Sequence, residues 1–231
     1  YNIEEYETDS FLPITEEAAA LDQKIVTDFK VSNDITNDII EAANCGNFDL
    51  LLIGPGQSIY EGSLLGKIFG FTTKIINPDR FISSVIGRER VFRSSAIDEK
   101  MRLILAKCKN PVGMLIDRNL SGFKTIVVAF YTADDGFLLQ YAQRFIENSG
   151  STIYLLPMSS PLLVNKELKE SIDRARAVHP YNYKIISEQE VDKALVNQSD
   201  LVIVSMNSWI KLAKIEKTWI KGIPSIFVVK K

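Results

Sequence analysis

Apolar residues fall into short unbroken runs. Leu50 to Ile53, Thr125 to Phe130, Leu201 to Val204 and Ser225 to Val229 are the clearest. Runs of this kind belong to strands covered on both faces of a sheet. Pro111 to Ile116, Thr152 to Leu156 and Tyr183 to Ile186 read as further strands. Lys24 to Val31 alternates instead, with Ile25, Thr27, Phe29 and Val31 on one side, and predicts a strand too. Between the runs the spacing becomes helical. Ile35, Ile39, Ile40 and Ala43 form one stripe; Phe137, Leu138, Tyr141, Ala142, Phe145 and Ile146 form another. Helices are also predicted from Thr15 to Leu21, Ser63 to Ile76, Ile97 to Cys108, Leu168 to Val178, Glu188 to Asn197 and Trp209 to Ile220, with a short one around Phe81 to Ile86. Ser32 or Asn33 is the expected cap of the Ile35 helix and Asp134 that of the Phe137 helix; Gly46 and Gly150 end them. Residues 1 to 14 are acidic and read as a surface segment or loop.

Strands that alternate with helices imply parallel βαβ units and an α/β fold. The two halves also repeat each other. A helix followed by Phe48-Asp-Leu-Leu-Leu-Ile-Gly54 matches a helix followed by Ser199-Asp-Leu-Val-Ile-Val-Ser205. Each leads through a helical stretch to a strand opened by proline, Pro111 or Pro224. The spacing places an arginine-containing insertion at about 77–109 of the first copy. The expected units are residues 1–120 and 121–231. The second has five predicted strands and the first only three, so the first copy is incomplete at its N-terminal end, by a late start, by missing residues or by completion from a partner.

The composition narrows the function. A net charge of −2 argues against a general nucleic-acid binder. With His179 as the single histidine, a multi-histidine metal site is excluded, and no metal is inferred. His179 reads as a surface or packing residue, and Trp209 and Trp219 as packing residues. Cys45 and Cys108 have no metal or redox spacing and fit a reducing compartment. No apolar run reaches the roughly 18 residues that span a membrane. The chain begins at Tyr1 rather than methionine, which is the expectation for a part of a longer polypeptide.

The candidate chemistry lies after Ile53. Gly54, Gly56, Gly62 and Gly66 follow the strand and precede the helical residues Leu64, Leu65, Ile68 and Phe69. Glycines allow close backbone approach, and a helix start favours an anion. The stretch serves either as a phosphate cradle or as a ligand-free βα turn. It is no P-loop: three residues, not four, separate Gly62 from Gly66, and Ile68 stands where a hydroxyl would hold magnesium. No Gly-x-Ser-x-Gly elbow accompanies His179. Slow ATP hydrolysis has no identifiable general base, so the chain is not expected to be an enzyme. The arginines of the insertion read as a solvated helix face, with an anionic or partner surface as the alternative.

On the Asp49-Leu-Leu-Leu-Ile-Gly strand, the glycine loop, the Leu64-Leu-Gly66 helix start and the closing Pro111-Val strand, the chain resembles the universal stress protein family. The resemblance implies two tandem Rossmann-like (adenine nucleotide alpha hydrolase-like) parallel sheets flanked by helices, each of strand order 3-2-1-4-5. It implies that Gly54, Gly56, Gly66 and Lys67 bind the phosphates of ATP or another adenine nucleotide. The loop departs from the family pattern at Pro55, which leaves one residue between Gly54 and Gly56, and at Lys67, which replaces a Ser or Thr. The second copy, with Ser205-Met-Asn-Ser-Trp209, resembles the fold without the site; Asp134 and Asp135 there read as helix caps. Degenerate tandem copies resemble the cytosolic C-terminal region of bacterial cation/proton antiporters. That implies a regulatory domain on the cytoplasmic side of the inner membrane, a transporter domain in the same polypeptide, and a homodimer. The alternative is a stand-alone tandem stress protein binding ATP or AMP.

Overall fold

The computed structural model describes residues 3–53, 99–118, 120–158, 164–186, 193–212 and 224–231. Seven strands form one sheet: β1 (Leu51–Ile53), β2 (Val112–Ile116), β3 (Thr125–Phe130), β4 (Thr152–Pro157), β5 (Tyr183–Ile185), β6 (Leu201–Ser205) and β7 (Ser225–Lys230). Their order is β1-β2-β7-β6-β3-β4-β5. The five strands from β3 onward are parallel throughout and follow the 3-2-1-4-5 order. β1 and β2 are parallel to each other. The two parallel blocks are joined by an antiparallel pair, β2 with β7, in which Met114 faces Val228. The α/β class with a mostly parallel, helix-flanked sheet is therefore present, and the two expected sheets are fused edge to edge into one.

The helices are α1 (Ile3–Ala20), α2 (Ile35–Cys45), α3 (Glu99–Lys107), α4 (Leu139–Ser149), α5 (Lys166–Val178), α6 (Lys193–Gln198) and α7 (Met206–Leu212). A 3-10 segment, Ala133–Leu138, leads into α4. Because side chains alternate along a strand, each sheet face has its own core. On one face Ile126, Val128, Phe130, Leu201, Ile203 and Phe227 pack with Leu138 of the 3-10 segment and with α4 and α5 through Tyr141, Ala142, Leu168 and Ile172. On the other, Met114, Val127, Val202, Val204 and Val228 pack with Val196 of α6 and Trp209 of α7. That second face continues over β1 and β2, where Leu51, Ile53 and Val112 meet Ile40 and Ala43 of α2 and Ile104 of α3.

Several local expectations change. Residues 3–14 are helix, not loop, and α1 runs through Pro13; the Thr15 hydroxyl donates to the carbonyls of Phe11 and Leu12 around that break. The cap of α2 is Asp34, whose carboxylate accepts from the Asn37 N–H at 3.1 Å, while Ser32 accepts from the Asp34 N–H. Lys24 to Val31 forms no strand among the described residues: a strand needs a neighbour, and none pairs with it there. The LLLI run is not covered on both faces, since Leu52 is 57 % exposed. Gly150 ends α4 at φ 64°, a left-handed position that glycine adopts without strain. The helix at Ser63 to Ile76, the one at Phe81 to Ile86, Trp219 and most of the insertion lie outside the described residues.

Candidate functional site

In open α/β sheets, ligands bind outside the carboxyl ends of the strands, where the strand order reverses direction. Among the described residues that point falls between β3 and β6. A cleft of about 430 Å³ opens there, lined by Thr132 to Phe137, Glu167, Ser171, Ser205 to Asn207 and the end of β7. Its floor is a closed network around Asp135, which is 2 % exposed. One carboxylate oxygen, Oδ2, accepts the backbone N–H groups of Tyr131 at 2.7 Å and Thr132 at 2.9 Å, and the Ser208 hydroxyl at 2.7 Å. The other, Oδ1, accepts the Ser205 hydroxyl at 2.5 Å. The Ser205 oxygen in turn accepts from the Ser208 N–H.

The network explains how the carboxylate is buried with no cation bonded to it among the described residues: four donors replace its lost water. It also ties the 3-10 segment after β3 to the end of β6 and the start of α7. Chemically the cleft is poor for a phosphate. Asp134, Asp135 and Glu167 present carboxylates, and Gly136 is the one glycine lining it. Lys230 turns its Nζ to the Cys108 carbonyl at 3.3 Å. The expected cap Asp134 is not the one used: Thr132 caps the 3-10 segment, and Asp135, three residues on, reaches back to the Thr132 N–H. Its junction with Ser205 and Ser208, some 70 positions away, is an addition that only the fold supplies. The sequence signal was a serine at the end of a strand and another one turn later.

Gly54, Gly56, Gly66 and Lys67 lie outside the described residues, so no geometry brings them together here. The strand that leads into them does have a defined place. β1 stands beside β2 as β6 stands beside β7, and the antiparallel seam points the carboxyl end of β1 away from that of β6.

His179, at the end of α5, sits apart from the cleft. Its Nε2 lies 3.8 Å from Glu147 Oε1. That nitrogen and the Tyr183 hydroxyl are buried without hydrogen-bond partners among the described residues. Burial, with Glu147 adding to it, pushes the Tyr183 phenol up to about 12. Cys45 is exposed and Cys108 buried, and burial raises the Cys108 thiol. Among the described residues no group of three or more His, Cys, Asp or Glu side chains is arranged to hold a metal ion, and no helix is long and apolar enough to cross a membrane.

No family model matches the sequence, and no curated protein matches it. Solved structures with a similar fold include a universal stress protein from Archaeoglobus fulgidus DSM 4304, with a TM-score of 0.49 at 12% identity over 97% of this chain and 76% of that one. A functionally unknown protein from Pseudomonas aeruginosa PAO1 gives 0.47 at 9% identity, over 96% of this chain and 77% of that one. A protein from Pseudomonas aeruginosa UCBPP-PA14, provisionally described as a universal stress protein, gives 0.47 at 10% identity over the same shares. These likenesses concern the fold.

Proposed function

We propose that this chain is a non-enzymatic, ligand-sensing module of the universal stress protein type. In this reading it takes an adenine nucleotide, ATP or AMP, at the glycine loop that follows β1. Gly54, Gly56 and Gly66 let backbone N–H groups approach the phosphates, and Lys67 supplies a cation. The observation that carries the reading is the place of β1. β1 stands beside β2 as β6 stands beside β7, and the carboxyl ends of such strands are where α/β proteins hold ligands. The cleft at Asp135 supports the same assignment by contrast, because its anchor carboxylate is already engaged by four donors.

Calorimetry with ATP, ADP and AMP tests this. Binding is expected for at least one nucleotide, to be lost in Gly66→Glu and retained in Ser171→Ala, which alters the other cleft. Absence of heat with all three, or unchanged binding in Gly66→Glu, rejects the site.

The proposed setting is the cytosolic regulatory region of a monovalent cation/proton antiporter, as a homodimer, in which nucleotide binding biases the transporter between states. Its support is the resemblance of degenerate tandem copies to such regions. Cation/proton exchange in proteoliposomes that responds to nucleotide, and stops responding in Gly66→Glu, is the expected result. Nucleotide binding with no transporter in the same polypeptide supports the stand-alone stress protein instead.

A further inference from the structure

We propose that the cleft between α4 and the strands of the seam binds a small amphipathic carboxylate: one apolar chain, of the fatty-acid kind, ending in a single anionic group. The seam creates this cleft. By pairing β2 with β7 it sets the first block of strands beside α4, a helix of the second block. On α4, Tyr141, Arg144, Phe145 and Asn148 have the i, i+3, i+4, i+7 spacing of one helical stripe. All four line the cleft, which has a volume of about 390 Å³. Small-molecule pockets occupy roughly 300–1,000 Å³, favour junctions between packed units, and combine apolar walls with a few polar groups. The described lining is distinct from that of the cleft at Asp135.

The walls select an apolar chain. From the sheet side come Leu50, Leu52 and Leu115. Two ring pairs fix the remaining surface. Tyr141 meets Phe227 edge to face at 5.9 Å between centroids, and Phe123 meets Phe145 at 5.1 Å. A hydrocarbon chain laid against these groups leaves water together with them. The polar groups select the other end. Among the described residues that line the cleft, Arg144 is the one charged side chain, and Asn148 stands one turn further along α4. One guanidinium with an amide beside it suits one carboxylate. A polyphosphate or a sugar would need more donors than these. Arg144 already donates to a carboxylate, with Nη2 3.3 Å from Asp49 Oδ2. Both side chains of that pair are largely exposed, so it contributes little to stability and yields to a bound anion at small cost. The inference does not rest on nucleotide binding.

The test is calorimetry of the 231-residue chain with sodium decanoate, kept below its micelle concentration. Saturable binding at one site is expected. Octanoate, two methylenes shorter, is expected to bind about tenfold more weakly, because it buries less apolar surface. Arg144→Gln is expected to weaken decanoate about tenfold, the loss of a hydrogen bond between charged groups. The same variant is expected to bind decan-1-ol, which lacks the charge, as the parent chain does. Leu52 is 57 % exposed, so Leu52→Trp fills the cleft from its solvent side without entering the core. It is expected to abolish decanoate binding at an unchanged melting temperature. Absence of decanoate binding overturns the proposal. So does equal affinity for octanoate and decanoate, binding that survives in Leu52→Trp, or an equal loss of decanoate and decan-1-ol in Arg144→Gln. Dimers that form with rising concentration, separate in Leu52→Trp and take up no decanoate assign the cleft to a second copy, and overturn it as well.

Discussion

The Ser208 hydroxyl donates to the Asp135 carboxylate at 2.7 Å, joining α7 to the 3-10 segment after β3. Neither group has water as an alternative, since both residues are buried. Asp135→Ala leaves two hydroxyls and two backbone N–H groups without their acceptor. Urea unfolding is expected to show a loss of about 2–4 kcal/mol, because orphaned buried donors cost their full desolvation. Ser208→Ala removes one donor of four and is expected to cost about 1 kcal/mol. Equal losses in the two variants would contradict the network.

Gly113 faces Phe227 across the β2 side of the seam. A Cβ at Gly113 meets the Phe227 ring at 2.5 and 2.8 Å. Gly113→Ala is expected to cost about 1–3 kcal/mol by overpacking. Adding Phe227→Leu returns part of that loss, so the double variant falls short of the sum of the singles by about 0.5 kcal/mol or more. Additive losses would mean the ring is not what limits the site.

Tyr183 predicts an alkaline effect of definite sign. Its phenol titrates near 10 when unfolded and is pushed up to about 12 in the fold, by burial first and Glu147 second. The folded state therefore holds the proton more tightly, and this contribution is complete below pH 10 and lost as pH rises toward 12. Tyr183→Phe is expected to flatten the stability profile in that window. At neutral pH it is expected to stabilise by up to about 1 kcal/mol, because it removes a buried hydroxyl with no partner.

Two asparagines stitch α2 to the end of α3. Asn44 donates to the Lys107 carbonyl and accepts from the Lys109 N–H at 2.8 Å; Asn110 donates to the Ala43 carbonyl at 2.7 Å. Asn110→Ala is expected to cost about 1–2 kcal/mol, and hydrogen exchange should rise in α2 before it rises in β3. Uniform exchange in both would show that the two blocks open together.

The strands were legible wherever an apolar run met its own helices. TIVVAF at Thr125 became β3 with the expected bounds, because residues 126–130 are buried between two helix layers. Lys24 to Val31 alternates as a strand would and forms none among the described residues, since propensity does not supply a neighbouring strand. The first part of α1 was read as a loop from its acidic residues, while its last turns, from Thr15, were expected as helix. Asp135 was visible as a helix-start residue; its serine partners lie 70 and 73 positions away, a separation no local pattern encodes. The proposed residues Gly54, Gly56, Gly66 and Lys67 rest on their pattern and on the placement of β1.

The β2–β7 seam has a consequence for how the molecule assembles. It joins Val112 to Lys230 and Ile116 to Ile226, partners separated by most of the second half. Such distant closures come late, because the loop entropy is spent before the contact forms. The five parallel strands from β3 to β7 can zip without them. β1 and β2, whose one further strand neighbour among the described residues is β7 across that seam, have no comparable nucleus. The later half of the sequence therefore acts as the mould on which the earlier half sets.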